Sequence, residues 1–140
     1  MPKNRVRAIL VTTDRALLLI KRTRPGRTPY WVFPGGGVEP DDPDDRDALR
    51  RELREEMAAD VDIIRLFHTA EEHGERQGFY LCHARRWDFS QRTGPEFDAP
   101  GRGGYELEEV PLTTEALAGL DLMPPAAAEA LRRAVDDDTL

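Results

Sequence analysis

From Asp44 to Ala59 the chain reads as one amphipathic helix with an acidic edge, announced by Pro43 and the aspartates around it. Side chains on a helix advance by about 100° per residue, so Glu52, Glu55 and Glu56 fall within a sector of roughly 100°. Leu49, Leu53 and Met57 form the adjacent stripe, the width of apolar face that docks a helix on a sheet. Arg50, Arg51 and Arg54 read as lying further round, on the opposite side. Taken alone, the segment also reads as an ordinary charged helix with surface ion pairs such as Asp47 with Arg51. Three carboxylates with no base between them nevertheless repel by about 0.2–0.5 kcal/mol per pair.

A bound cation removes that conflict, and carboxylate oxygens are the hard ligands that Mg²⁺ or Ca²⁺ prefers. Upstream lies a second feature. Tyr30–Phe33 is a short aromatic strand that runs into Pro34-Gly35-Gly36-Gly37, expected as irregular backbone. Glycine admits close approach of a ligand, so a carbonyl or amide of this run is available to a metal or a phosphate. It is not a P-loop, because no Gly-Lys-Ser/Thr follows, and Gly101-Arg102-Gly103-Gly104 lacks the dinucleotide-binding spacing.

The rest of the chain reads as a mixed α+β domain. Val6–Thr12 and Ala16–Ile20 are strands around the turn Thr13-Asp14-Arg15, and Lys21–Pro29 reads as a basic loop. After the helix, Val61–Ala70 and Gly78–Ala84 are strands joined by a polar stretch. Asp88–Gly104 is a long loop, and Tyr105–Leu112 a further strand. Thr113–Gly119 and Pro125–Val135 close the chain as helices. The order β-β-β-α-β-β-β-α-α predicts a mixed sheet with helices packed on it. There is no repeat and no second domain, so residues 1–140 are expected to form one unit.

A net charge of −7 argues against general nucleic-acid binding, which needs clustered Lys and Arg. A small phosphorylated ligand remains compatible where a divalent ion carries the local positive charge. Cys82 is the one cysteine, expected as a buried thiol; it fits a reducing cytoplasm. No stretch has the length and apolarity of a signal peptide or a membrane span. His68, His73 and His83 show no zinc spacing.

Together, Trp31-Val32-Phe33-Pro34-Gly35-Gly36-Gly37-Val38-Glu39-Pro40 and Arg51-Glu52-Leu53-Arg54-Glu55-Glu56 closely resemble the Nudix box. That box reads Gly, five residues, Glu, seven residues, then Arg-Glu-aliphatic-any-Glu-Glu-any-Gly-aliphatic. The spacing from Gly37 to Arg51 is kept. Three positions depart: the first glutamate falls on Pro43, or its role passes to Asp42 with one inserted residue; the late glycine is Ala58; the following aliphatic is Ala59.

The resemblance implies an α/β/α sandwich with a mixed sheet. It also implies Mg²⁺-dependent hydrolysis, with Mn²⁺ as substitute, of a phosphoanhydride bond in a nucleoside diphosphate derivative. By similarity to the family, Glu52, Glu55 and Glu56 would hold the metal with the Gly35 carbonyl, and Arg51 would orient the cluster. Gly36, Gly37 and Trp31 would contact substrate, Trp31 or its neighbour Tyr30 by stacking on a base. The general base would be Glu55, Glu56 or a loop glutamate such as Glu96. The competing expectation is a non-catalytic module of the same fold that binds a nucleotide or nucleotide sugar. A homodimer is compatible with either.

Overall fold

The computed structural model describes residues 4–72, 74–91 and 104–140. Strands β1 (Arg5–Val11), β2 (Ala16–Arg24), β3 (Arg27–Val32) and β4 (Gly35–Gly37) precede helix α1 (Asp45–Met57). Then come β5 (Asp60–Glu72), β6 (Glu75–Arg86), a 3₁₀ turn at Phe89–Gln91, β7 (Gly104–Pro111), α2 (Thr114–Ala118), β8 (Leu122–Met123) and α3 (Pro125–Asp136). The sheet runs β5-β6-β1-β2-β3-β8, with β4 paired to β1 and β7 to β2. β1 and β6 are parallel, as are β3 and β8, and the other pairs are antiparallel. The sheet is therefore mixed.

Alternation along the strands divides the core in two, because successive strand side chains point to opposite faces. Val6, Ala8 and Leu10 of β1, with Leu18 and Ile20 of β2, pack against Ala48, Leu49, Leu53 and Met57 of α1. On the other face, Ile9, Leu17, Leu19 and Phe79 pack with Leu117 of α2 and Ala127, Ala128 and Leu131 of α3. A sheet buried on both faces by helices is an α/β/α sandwich. The Leu49, Leu53, Met57 stripe is fully buried, and burial of each such side chain contributes about 1.5–3 kcal/mol. Among the described residues, no helix is long and apolar enough to cross a membrane.

Three sequence expectations are corrected. Lys21–Pro29 is not a loop: β2 continues to Arg24 and β3 starts at Arg27, leaving Pro25-Gly26 as a tight connection. Two of the hairpin's cations lie on aromatic rings, the Arg22 guanidinium 3.9 Å from the Tyr105 centroid and that of Arg27 4.0 Å from Tyr30. Gly35–Gly37 is not irregular throughout; it forms a strand, with Gly35, Gly36 and Gly37 opposite Arg7, Val6 and Arg5. β5 and β6 are longer than their apolar runs, since each satisfies the other's backbone from Asp60↔Arg86 to Glu72↔Glu75. Cys82 is buried as expected, and burial pushes its thiol up to about 12.

Candidate functional site

Helix α1 delivers the glutamates. Asp44 caps its first turn, accepting from the Asp47 amide at 2.8 Å, a cap of a kind that contributes about 1 kcal/mol. The buried leucine stripe then fixes the helix's rotation, which turns Glu52 and Glu56 inward. Both are buried, 9% exposed, while Glu55 is half-buried beside them.

Strand β4 forms the opposing wall, and two glycines set how close it comes. Gly35 has φ 144°, and a Cβ there would collide with the Val6 carbonyl oxygen of β1. At Gly36 a Cβ would instead occupy the space of the Glu52 carboxylate, so this carboxylate rests directly on the backbone. The Gly35 amide donates to Glu56 Oε1 at 3.2 Å. The glycine run and the helix, 21 residues apart at that bond, are thus joined through the acidic cluster itself.

Arg51 does not lie on the side opposite the glutamates: it is the i,i+4 neighbour of Glu55 on one helix face, 3.3 Å away. Its long side chain swings over the helix N-terminal side and ties the loop to the cluster. Nε and Nη2 each donate to Asp42 at 2.9 Å, and Nη2 also donates to the Gly37 carbonyl at 3.0 Å. Nη1 lies 3.2 Å from Glu52, 3.3 Å from Glu55 and 3.5 Å from Glu39. Such a two-point guanidinium–carboxylate pair is directional as well as strong. It lowers the Asp42 carboxyl below the ordinary aspartate value, with the Glu39 amide helping, and raises the Arg51 pKa. Asp42, and not Pro43, therefore supplies the acidic partner at the position where the box departs from its pattern.

These elements enclose a cleft of about 350 Å³, lined by Gly35, Gly36, Gly37, Glu52, Glu55 and Glu56 among others. Four charged or aromatic lining residues lie outside the site expected from sequence: Arg5 and Arg7 on β1, Arg22 on β2 and Tyr105 on β7. The register places Arg22 opposite Tyr105, which aligns the pair at the cleft wall. For Arg7 the available signal was a charge inside the aliphatic run Arg5–Val11. Trp31 does not line this cleft. Its indole Nε1 donates to Glu108 at 2.6 Å, and its ring packs against the α2–α3 side of the core. Tyr30 is buried under Arg27. Glu96 and His73 lie outside the described residues.

Among the described residues, no three Asp, Glu, His or Cys side chains already stand as a metal cage. Arg51 and the backbone amide of Gly35 hold the carboxylates instead. The donor set still fits a hard divalent cation: it is all oxygen, it faces a cleft, and bare glycine backbone lies against the Glu52 carboxylate.

The match to known proteins agrees with this geometry. The family model described as the NUDIX domain matches residues 1–137. No curated protein matches the chain. Among solved structures, the ORF135 protein of E. coli is 26% identical over 94% of this chain and 89% of its own, with a TM-score of 0.62. An ADP-ribose pyrophosphatase from Streptococcus suis is 20% identical, covering 100% of this chain and 94% of its own at TM-score 0.65. A MutT protein from Methanosarcina mazei is 18% identical, covering 99% and 97% at TM-score 0.65. The last two are similar in fold. With nearly its full length matched by the family model, the chain belongs to the Nudix family of hydrolases, whose activity class is pyrophosphate hydrolysis.

Proposed function

We propose that the chain hydrolyses a phosphoanhydride bond in a nucleoside diphosphate derivative, using Mg²⁺ or Mn²⁺ held by Glu52, Glu55 and Glu56 with the Gly35 carbonyl. The observation that carries this reading is the convergence of Glu52, Glu55 and Glu56 on the Gly35–Gly37 backbone in one cleft. Bound there, a divalent ion neutralises phosphate charge, polarises phosphorus and lowers the pKa of water.

The chain's own groups account for the rest. Gly36 lets the Glu52 carboxylate lie against the backbone, and Gly37 leaves the adjoining wall free of a side chain, so a diphosphate can approach the backbone beside that carboxylate. Arg51 fixes the spacing between helix and loop, which makes it a positioning residue. Glu55, the more exposed of the three glutamates, is our choice to accept a proton from attacking water, with Glu56 the alternative. Glu96, outside the described residues, is retained as a third candidate base. Tyr105 and Arg22 offer an aromatic face and a cation for the nucleoside end, replacing Trp31 in that role.

The test is a panel of nucleoside diphosphate derivatives, nucleotide sugars and dinucleoside polyphosphates, each assayed for products with Mg²⁺, with Mn²⁺ and with excess EDTA. The expected result is cleavage of at least one compound between phosphates, lost in EDTA and restored by Mg²⁺. Binding without cleavage across the panel would support a non-catalytic module instead.

A further inference from the structure

Charge is divided unevenly along this chain. Residues 1–38 hold eight of its 20 Lys and Arg but one of its 27 Asp and Glu, so the strands of one cleft wall are cationic in a chain of net charge −7. In β2 and β3 the cations fall on both faces of the sheet, and register separates them. Lys21 lies opposite Trp31, with Nζ 5.7 Å from that ring's centroid, on the face that packs against α2 and α3. Arg22 lies opposite Tyr30 and Tyr105, on the face of the glutamate cleft.

Ile20, Arg22 and Arg24 form one row, because alternate residues of a strand share a face and β2 keeps an unbroken register with β7 from Ala16↔Pro111 to Thr23↔Gly104. Ile20 and Arg22 line the cleft, and Arg24 follows about 7 Å further along the strand. Arg27 sits directly across from Arg24. The irregularity in the β2–β3 register between Arg22 and Arg24 turns Arg27 to the side of Tyr30, on whose ring its guanidinium rests at 4.0 Å. Like charges directly opposite on a ladder are destabilising. Arg24 and Arg27 are both exposed, and among the described residues neither is paired with a carboxylate. From Ala16 to Val38 there is no Asp or Glu to pair with them. A bound anion would relieve this arrangement.

On the reading that the glutamates hold the scissile diphosphate, with Arg22 and Tyr105 at the nucleoside, we propose that Arg24 and Arg27 bind a further phosphate carried on the ribose. The preferred nucleoside diphosphate derivative is then one that is also phosphorylated at O2′ or O3′. The order along the face supports this, since the arginine pair lies beyond Arg22 as seen from the glutamates. A neutral group there would leave the two charges facing each other, whereas a phosphate accepts charge-assisted hydrogen bonds from both guanidinium groups. A nucleic-acid strand would present a similar phosphate at this point. Residues 39–140, with 12 Lys and Arg against 26 Asp and Glu, would repel its continuation.

The probes are adenosine 5′-monophosphate, adenosine 2′,5′-bisphosphate and adenosine 3′,5′-bisphosphate, titrated by calorimetry with and without Mg²⁺. At least one bisphosphate is expected to bind about tenfold more tightly than the monophosphate, and salt at about 0.5 M should shrink that margin. Arg24→Gln/Arg27→Gln is expected to lose the margin while melting no lower than wild type, since it removes a like-charge pair. Lys21→Gln, on the other face, keeps the margin. Wild type that binds neither bisphosphate more tightly than the monophosphate overturns the proposal, as does a margin that survives in Arg24→Gln/Arg27→Gln. A 5′-phosphorylated trinucleotide that binds more tightly than both bisphosphates, with the same dependence on the two arginines, gives the surface to nucleic acid and also overturns it. The margin is read from binding alone, so a protein that shows it but cleaves no nucleotide keeps the phosphate site and loses the hydrolase reading, a separate outcome.

Discussion

Gly35 and Gly36 are adjacent and equally small, yet they serve different ends. At Gly35 both the backbone angle and the Val6 carbonyl exclude a side chain. Gly35→Ala must strain the backbone and push β1 from β4, so it is expected to destabilise the fold by about 3 kcal/mol or more. At Gly36 the obstacle is only the far end of Glu52. Gly36→Ala is expected to melt within about 1 kcal/mol of wild type while losing Mn²⁺ affinity and turnover. Chemical denaturation of the two variants, paired with Mn²⁺ titration of Gly36→Ala, checks both. Sequence alone could mark this run as functional only together with the acidic helix, since three glycines by themselves also suit a plain loop. It could not divide the labour, because the Val6 carbonyl and the Glu52 carboxylate meet these glycines only in the folded molecule. The same holds for Trp31, which looked suited to stacking but is engaged by Glu108, 77 residues away.

Two predictions belong to the helix and the loop it anchors. Ala58 ends α1 at φ 48°, ψ 38°, where the Ala59 amide reaches the Leu53 carbonyl at 3.2 Å. That left-handed position favours glycine, the residue of the family box. Ala58→Gly is therefore expected to stabilise the protein by about 1 kcal/mol without altering activity, as thermal and urea unfolding will show.

The second concerns Asp42, whose folded pKa is depressed by the Arg51 hydrogen bonds. A depressed carboxyl contributes stability above its unfolded value of about 3.9 and loses it as pH falls through the folded value. Wild type should accordingly exceed Asp42→Asn in stability near neutrality, and the gap should close below about pH 4. Melting temperatures of both proteins from pH 7 to pH 3 give the measurement; a gap that is constant across this range would remove the ion pair from the account. The helix itself was legible in the sequence to within a residue or two, because periodicity and cap act locally. The Arg51–Glu55 contact is an ordinary i,i+4 pair on one helix face, which periodicity alone should have shown, whereas the reach of Arg51 to Asp42 and Gly37 depends on how the loop folds back on the helix.

Across the whole molecule, the sandwich follows from strand alternation, which sends Val6, Ala8 and Leu10 to α1 and Ile9 to α2 and α3. The short strand β8 left no such pattern in its two residues, and it exists through pairing of Trp31 with Leu122 and Val32 with Met123. The glutamate cluster was legible as a composite motif. Its electrostatic setting was not, because the Gly35 amide arrives from a strand 21 residues before Glu56 in the chain. This alters an expectation. Spacing alone implies that neutralising Glu56 relieves repulsion and stabilises the metal-free protein. With Gly35 donating to Glu56 and Arg51 3.2 Å from Glu52, that gain is no longer expected.

Turnover of Glu56→Gln at saturating Mg²⁺, on a compound that wild type cleaves, tests the metal-site reading most directly. The amide keeps an oxygen for the Gly35 N–H, so the fold should persist with a cooperative melt. The account predicts that kcat falls by about 10²–10⁴ and that the Mg²⁺-induced rise in melting temperature shrinks or disappears. A Glu56→Gln protein with wild-type kcat and the wild-type Mg²⁺ shift would contradict it.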